Sequence, residues 1–355
     1  MIEKCAKEVR SDKFQDGYMV SMYWENVARS IQERSHRDAK KLNVPLFCLQ
    51  AADQRCSFKS KKHDDQVLHS LLSVPNIHKT GKLAGMLLIH EGMQVRLSDV
   101  LDPTSGLVKD LVGQVVSVKL RSHDEERLRN LPPGYQFFVP DFIPEGIWVE
   151  FAKYKKAPLL PYIEQDIRHH GQLKDDQRKD FLQKAKSMVF VEIASSSFNI
   201  DIKIGEQTHN LQVVRWQFPL THRMVRTAYS CQGLTLDGGV IVDLRRGGGL
   251  QDEDWWLNIY VMLSRARTLD NIILLGFSKQ VEDLLKKGPP QRLLDIMGQL
   301  RKKAVKTMSA YSNPRYFHKK GTPTRKCVSA ARKPCRTAAA TVSAAGRASG
   351  ADVFE

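Results

Sequence analysis

Long apolar runs are missing from this 355-residue sequence: none approaches the roughly 20 residues an α-helix needs to cross a bilayer. No helical membrane span is expected. Cysteine is scarce, with six in the whole chain (Cys5, Cys48, Cys56, Cys231, Cys327, Cys335), which does not suit a disulfide framework. The opening MIEKCAKEVRSDKF has no apolar centre and does not suit a secretory signal. No internal repeat is visible. Together these absences predict a soluble protein of a reducing, intracellular compartment. Acidic residues are also short, 39 Asp+Glu against 55 Lys+Arg, a net charge of +16. That balance argues against an acidic small-molecule enzyme and for a polyanionic partner.

The charge is unevenly placed. From Arg301 onward there are thirteen Lys/Arg and two Asp/Glu, so +11 of the excess lies there and only +5 in the first 300 residues. Apolar residues make up 42%, enough to bury a core, and the length exceeds one ordinary domain.

The pattern along the chain predicts an α/β protein with a β-rich interruption. GYMVSMY (Gly17–Tyr23) reads as a strand, Glu25–Leu42 as a helix without Gly or Pro, and Val44–Ala51 as a second strand. Such a strand–helix–strand opening suggests an α/β layer. A helix is expected near Asp65–Ser73, then a strand and a turn at Gly92 within Leu83–Asp99. From Gly106 the runs LVGQVVSVKL, IWVEFAKY, MVFVEIAS, FNIDIKI and NLQVVRWQF suit a small β-barrel or sandwich. The polar segment Glu164–Lys186 interrupts them as a helix or an exposed insertion. After Trp216 the α/β texture returns: GGVIVDL as a buried strand, Trp255–Ala266 as a helix, NIILLGF as another strand. Two amphipathic helices follow, Lys279–Gly288 and Pro290–Lys306. The remainder is too poor in large apolar residues to offset its conformational entropy and is expected to be disordered.

Two stretches carry the chemistry, Phe218–Leu244 and Ile259–Phe277. Together they resemble the last two helicase motifs of superfamily 1B DNA helicases, the RecD-like and petite-integration-frequency group. That family shows Thr-x-His-Lys-Ser-Gln-Gly-x-Thr-Leu-Asp, matched here by Thr227, Gln232, Gly233, Thr235, Leu236 and Asp237. Its Tyr-Val-Ala-Leu-Ser-Arg run is matched by Tyr260, Val261, Leu263, Ser264 and Arg265. Upstream, Gly92, Val95, Leu97, Gly106, Leu107, Val108 and Gly113 fit the family's passage into an inserted barrel, while Lys109 and Asp110 replace its Asn-Gly.

The resemblance implies a second RecA-like domain, a parallel sheet with helices, interrupted by an SH3-like β-barrel insertion. The expected divisions are 1–105 and 218–300 for the RecA-like domain, 106–217 for the barrel, and 301–355 for a disordered basic tail. It implies that Arg265 is an arginine finger for the γ-phosphate, with Arg267 a poorer match. Spreading transition-state charge over a guanidinium is worth about 10³–10⁵ in rate in related phosphoryl transfers. The alternative is a solvated or structural arginine pair at a helix end. Gln232, Gly233 and Ser264 would couple the nucleotide to the strand, and Thr227 and Thr235 would touch phosphates. Tyr229, Ser230 and Cys231 stand at the family's His, Lys and Ser. Loss of that Lys removes a charge, while Tyr229 either stacks on a base or lies partly buried.

The G-x-x-x-x-G-K-[ST] phosphate loop occurs nowhere, and Gly81-Lys82 is followed by Leu83. Asp124-Glu125 and Asp252-Glu253 sit in polar segments, not after apolar strands, and make poor magnesium ligands. ATP and Mg²⁺ are therefore expected only in a complete helicase, with none bound by this chain alone. No metal site is expected. Cys48, Cys56, His63 and His69 match no zinc spacing, and Cys327 and Cys335 have no partners at ligand spacing. Trp255-Trp256 suits helix packing better than stacking on nucleic acid, and His169-His170 suits solvent. Arg301-Lys302-Lys303, Lys319-Lys320, Arg325-Lys326 and Arg332-Lys333 read as a nucleic-acid grip, a nuclear-import address or a solubilising extension.

The expected function is the C-terminal RecA-like portion of an ATP-dependent DNA helicase, with the family's links to DNA repair and recombination. It would bind single-stranded DNA, or RNA, and favour the nucleus. A non-catalytic nucleic-acid-binding protein derived from a helicase is the alternative, and a regulatory subunit lending Arg265 to a separate ATPase is a third. Oligomeric state is not legible.

Overall fold

The computed structural model describes residues 12–55, 64–152, 154, 187–204, 206–246 and 249–311. Glu164–Lys186, Cys5, Cys56, His63, Cys327, Cys335 and the basic clusters beyond 311 lie outside the described residues. The fold is mixed α/β. No helix among the described residues is long and apolar enough to cross a membrane.

In chain order the strands are β1 Tyr18–Ser21, β2 Leu46–Gln50, β3 Ala52–Arg55, β4 Met86–Ile89, β5 Gln94–Leu97, β6 Val112–Lys119, β7 Phe137–Phe138 and β8 Gly146–Glu150. They continue as β9 Met188–Val191, β10 Ala194–Ile204, β11 Gln207–Gln217, β12 Leu220–His222, β13 Val225–Thr227, β14 Val240–Asp243 and β15 Ile272–Leu275. The principal helices are α1 Trp24–Leu42, α2 Asp64–Leu72, α3 Ser122–Arg129, α4 Asp252–Leu263, α5 Lys279–Lys286 and α6 Gln291–Tyr311.

The parallel sheet has the order β13-β1-β14-β15. Strands β1, β14 and β15 are mostly apolar, as suits a sheet covered on both faces, whereas β13 carries Arg226 and Thr227. On one face Tyr18, Val20, Val240 and Val242 meet Trp255, Ile259 and Met262 of α4 and Val281 and Leu284 of α5. On the other, Met19, Val225, Ile241 and Ile273 meet Val27 of α1 and Phe14. The strand entry is tight: a Cβ on Gly17 would lie 2.2 Å from the Gly239 carbonyl oxygen, which Tyr18 N–H uses at 2.7 Å. Helix α1 stops where expected, with Asn43 at φ 54° donating back to Ala39 and Lys40.

The strand–helix–strand opening is not one layer. β2 pairs with β4 and β7 in a separate sheet. The reason is occupancy: β13 and β14 already fill both edges of β1. The β-rich part comprises a five-stranded antiparallel sheet, β12-β5-β6-β8-β9, and the ribbon β10-β11-β3. Strand pairing crosses both ends of the expected 106–217 insert, since β5, β12 and β3 lie outside it. The five-stranded sheet and the β2 sheet enclose one core, with Phe47, Leu49, Ile89, Leu97, Ile147, Phe151 and Phe218 at its centre. Helix α2 covers the β10–β11 ribbon through Val67 and Leu71 against Ile200, Ile202, Leu211 and Val213.

Residues 12–289 fall in one compact unit. Helix α6 belongs to a second unit and is described by itself. It corrects the expected start of disorder at 301, because good helix formers carry it on to Tyr311. Its Leu294, Met297, Leu300, Val305 and Met308 are exposed.

Two buried polar groups hold the β-rich part. Arg215 on β11 grips Asp53 on β3 through Nε–Oδ1 at 2.7 Å and Nη2–Oδ2 at 2.6 Å, both side chains being almost fully excluded from solvent. The same guanidinium donates to the Leu71 and Leu83 carbonyls, so ribbon, α2 and the approach to β4 share one charge. Breaking such a pair by removing one partner costs about 3–5 kcal/mol, whereas apolar replacement of both is often nearly neutral. Arg215→Met is therefore expected to lower the urea midpoint strongly, and the Asp53→Leu, Arg215→Met double variant to recover much of the loss. Equal stability of Arg215→Met and the parent would contradict this role.

The second group is His222, 4% exposed, whose Nδ1 accepts from Met224 N–H at 3.0 Å. Burial, then the Arg34, His90, Arg37 and Arg96 charges, push its pKa down to about 3. His90 and His78 are lowered too, with burial the main cause. The unfolded chain therefore takes up more protons below pH ~6.5. Stability from these groups is fully present above that pH and is lost as pH falls toward about 3. The melting temperature should drop across that acid window, and His222→Gln should flatten the drop; an unchanged pH profile in the variant would refute the assignment.

Candidate nucleic-acid interface

Ligands of open α/β sheets bind beyond the carboxyl ends of the strands. Here β1 ends at Ser21 and passes through Met22 and Tyr23 into α1, while β13 ends at Thr227 and passes into a 3₁₀ turn, Tyr229–Cys231. Between these exits lies a cavity of about 290 Å³ lined by Met22, Trp24, His78, Thr227, Ala228, Tyr229 and Asn258. Tyr229 is 82% exposed, which corrects the partly buried alternative. The turn it sits on leaves its side chain no sheet to lie beneath. Trp24 and His78 meet edge to face with centroids 5.4 Å apart. An open crevice with aromatic walls can take a flat ring.

Local hydrogen bonds shape the turn. Ser230 Oγ accepts from Thr227 N–H at 3.0 Å and donates to the Thr227 carbonyl at 3.1 Å. Thr227 Oγ1 accepts from Ser230 N–H at 3.1 Å, so this buried hydroxyl braces the turn. Ala228 N–H donates to the Ser21 carbonyl, clamping the turn to the end of β1. Cys231 is buried, and burial pushes its thiol up to about 11, which excludes a reactive thiolate at neutral pH.

Gln232, Gly233 and Thr235 are exposed. Gly233 has φ 79°, and a Cβ there would meet nothing within 4 Å, so conformation alone demands glycine. The structure brings the two motif stretches into contact at this point. Arg265 Nη1 donates to the Leu234 carbonyl at 3.1 Å, and Leu236 N–H donates to the Arg265 carbonyl at 2.9 Å. Arg265 Nε also donates to Val261 O and Nη2 to Ser264 Oγ, while Ser264 Oγ donates to Val261 O. The guanidinium is folded back on its own helix end. Arg267 pairs with Asp237 at 2.5 Å on an exposed surface, an interaction of small energy.

Sequence reasoning missed the polar hub beside the crevice. Asp243, fully buried at the end of β14, accepts from Ser21 Oγ at 3.2 Å and Asn26 Nδ2 at 2.7 Å. Arg245 closes it from outside with Nε and Nη2 both at 2.8 Å, and this carboxylate raises the Arg245 pKa. Trp24, His78 and Asn26 were equally missed. The available signal was position: Trp24 and Asn26 follow directly on a buried parallel strand.

The weaker candidates have other partners in the structure. Asp124 lies past the end of β6, in the polar run expected from the sequence. The polar run RSHDEERLR is helix α3, whose buried Asp124 accepts from Asp141 N–H, Phe142 N–H and Arg127. His123, Asp124 and Asp141 place ligand atoms within 4.8 Å of one another, but Arg127 pairs both carboxylates at 2.7 Å. Cys48 is buried in β2 with its thiol pushed up by burial, and His69 is exposed on α2. Asp252 starts α4 and pairs with Arg246 at 2.9 Å. Trp255 is buried and donates Nε1–H to Leu244 O at 3.1 Å, and Trp256 stacks on Tyr260. His169-His170 lies outside the described residues.

No protein-family model and no curated protein sequence matches this chain. Solved structures do resemble it. Bacteroides Pif1 bound to ssDNA is 15% identical with a TM-score of 0.42, over 81% of this chain and 46% of that one. Pif1 helicase from Candida albicans is 17% identical with a TM-score of 0.41, over 80% and 50%. Bacteroides Pif1 with ADP-AlF3 and ssDNA is 15% identical with a TM-score of 0.41, over 84% and 49%. The chain thus spans about half the length of these structures. At such identities and TM-scores the likeness assigns no activity.

Proposed function

We propose that this chain is a single-stranded nucleic-acid-binding α/β module of superfamily 1B helicase type. The observation that carries the reading is Tyr229, displayed at the carboxyl edge of the parallel sheet opposite Trp24 and His78. Aromatic faces grip unpaired bases without reading sequence, because every base has a π-face. The two helicase-like motif stretches support the same reading, since they meet in space through Arg265, Leu234 and Leu236.

In a motor of this type ATP hydrolysis drives movement along the strand. Arg265 would then act as the finger, leaving its contacts with Val261, Leu234 and Ser264 as a nucleotide-bearing domain closes on it. The missing phosphate loop makes the chain by itself a gripping element. DNA is the favoured strand.

The full chain is expected to bind a short fluorescein-labelled oligo(dT), with affinity falling as salt rises and unaffected by ATP. Tyr229→Ala should weaken binding by about 1–3 kcal/mol, the worth of one base–aromatic stack. No ATP turnover should accompany binding. Turnover that vanishes in Arg265→Ala would overturn the gripping-element reading, and unaltered binding by Tyr229→Ala would overturn the crevice as its seat.

A further inference from the structure

Beside the crevice lies an unusual concentration of buried positive charge. Arg96 on β5 and Arg226 on β13 have side chains only 6% and 4% exposed. Both direct Nη1 at the same oxygen, Asp110 Oδ1, at 2.8 and 3.2 Å. Two guanidiniums thus share one carboxylate. The Nε of each is buried, with no hydrogen-bond partner among the described residues. Buried donors without acceptors are rare in folded proteins, and two on adjacent arginines point to an acceptor that arrives from outside. Burial and the nearby Arg226 bring the Arg96 pKa down to about 10, so Arg96 stays charged at neutral pH.

The surroundings favour an anion further. Lys109, Lys82 and Arg96 all bear electrostatically on His78, whose pKa they lower after burial. Asp99 offsets Lys82 at 2.7 Å, while Arg96 and Arg226 share the single carboxylate of Asp110. Arg226 also donates to the Ser230 carbonyl at 3.2 Å, directly behind Tyr229, and precedes crevice-lining Thr227. Asp110, by contrast, is a third exposed and sits at φ 66°, a backbone conformation better suited to glycine. The most accessible member of the triad is therefore the carboxylate.

We propose that Arg96 and Arg226 form a binding site for a backbone phosphate of the strand whose base enters the Trp24–Tyr229 crevice, with Asp110 as the internal carboxylate that the phosphate replaces. Planar guanidiniums match phosphate oxygens in geometry as well as charge. The proposal rests on the nucleic-acid reading above for its ligand, but not for its chemistry. A phosphodiester and free inorganic phosphate offer the same oxygens.

The test uses the full chain and three variants. Asp110→Gly removes the competing carboxylate and suits the φ at that position. It is expected to bind oligo(dT) roughly fivefold more tightly, the scale of one partly exposed charge interaction. Arg96→Met leaves Arg226 paired with Asp110 and should fold. It is expected to bind more weakly, with the slope of log affinity against log salt smaller by about 0.7, one strand phosphate. Asp110→Gly that melts lower while binding no better would show a purely structural triad and overturn the proposal. If the parent chain does not bind oligo(dT), the gripping function fails, and inorganic phosphate at fixed ionic strength decides the site. A melting temperature raised by phosphate in the parent but not in Arg226→Met supports it; no rise in the parent overturns it.

Discussion

A four-residue strand bears the constraint on which the parallel layer depends. Tyr18–Ser21 lies between two strands more than 200 residues later in the chain, pairing Met19 with Val225 on one side and with Ile241 on the other. Nothing in the parallel sheet is complete until the intervening chain has returned. The β-rich part is an excursion whose ends are joined by backbone hydrogen bonds, and loop closure over such a separation must be offset by burial. That burial is present on both faces of the strand, in Tyr18 and Val20 on one and Met19 on the other.

The same constraint creates the candidate site. Because β1 and β13 are parallel neighbours, their exits open side by side, and one carries Trp24 while the other carries Tyr229. Asp243 fixes the geometry from the third strand by holding Ser21 and Asn26. Ala228 N–H on the Ser21 carbonyl prevents the two exits from drifting apart. The crevice is thus a product of strand order rather than of any single motif. The arginine pair extends it outward, since Arg226 lies on β13 itself and Arg96 on the strand paired with β12.

Much of this was legible in the sequence, and the reasons differ by element. α1, β14 and β15 were readable because their apolar patterns are local and their punctuation is clear. The juxtaposition of Leu234 with Arg265 was not read from the sequence, because spacing alone does not bring residues 31 positions apart together. β2 was misplaced because strand character does not reveal which edges are vacant. The bracing role of Asp124 was not legible because it lies in two loop N–H groups that follow it by 17 and 18 residues. Trp24 and His78 were invisible for the same reason: they meet across 54 residues. The exposure of Tyr229 rests on three hydrogen bonds inside a turn, a detail below the resolution of any pattern.

The most direct test of the account is hydrogen–deuterium exchange of the full chain on titration with oligo(dT). The account predicts protection at Met22–Glu25 and Thr227–Gln232, the two strand exits, with the β10–β11 ribbon unchanged. Protection confined to the ribbon or to α6, with both exits exchanging as before, would contradict it.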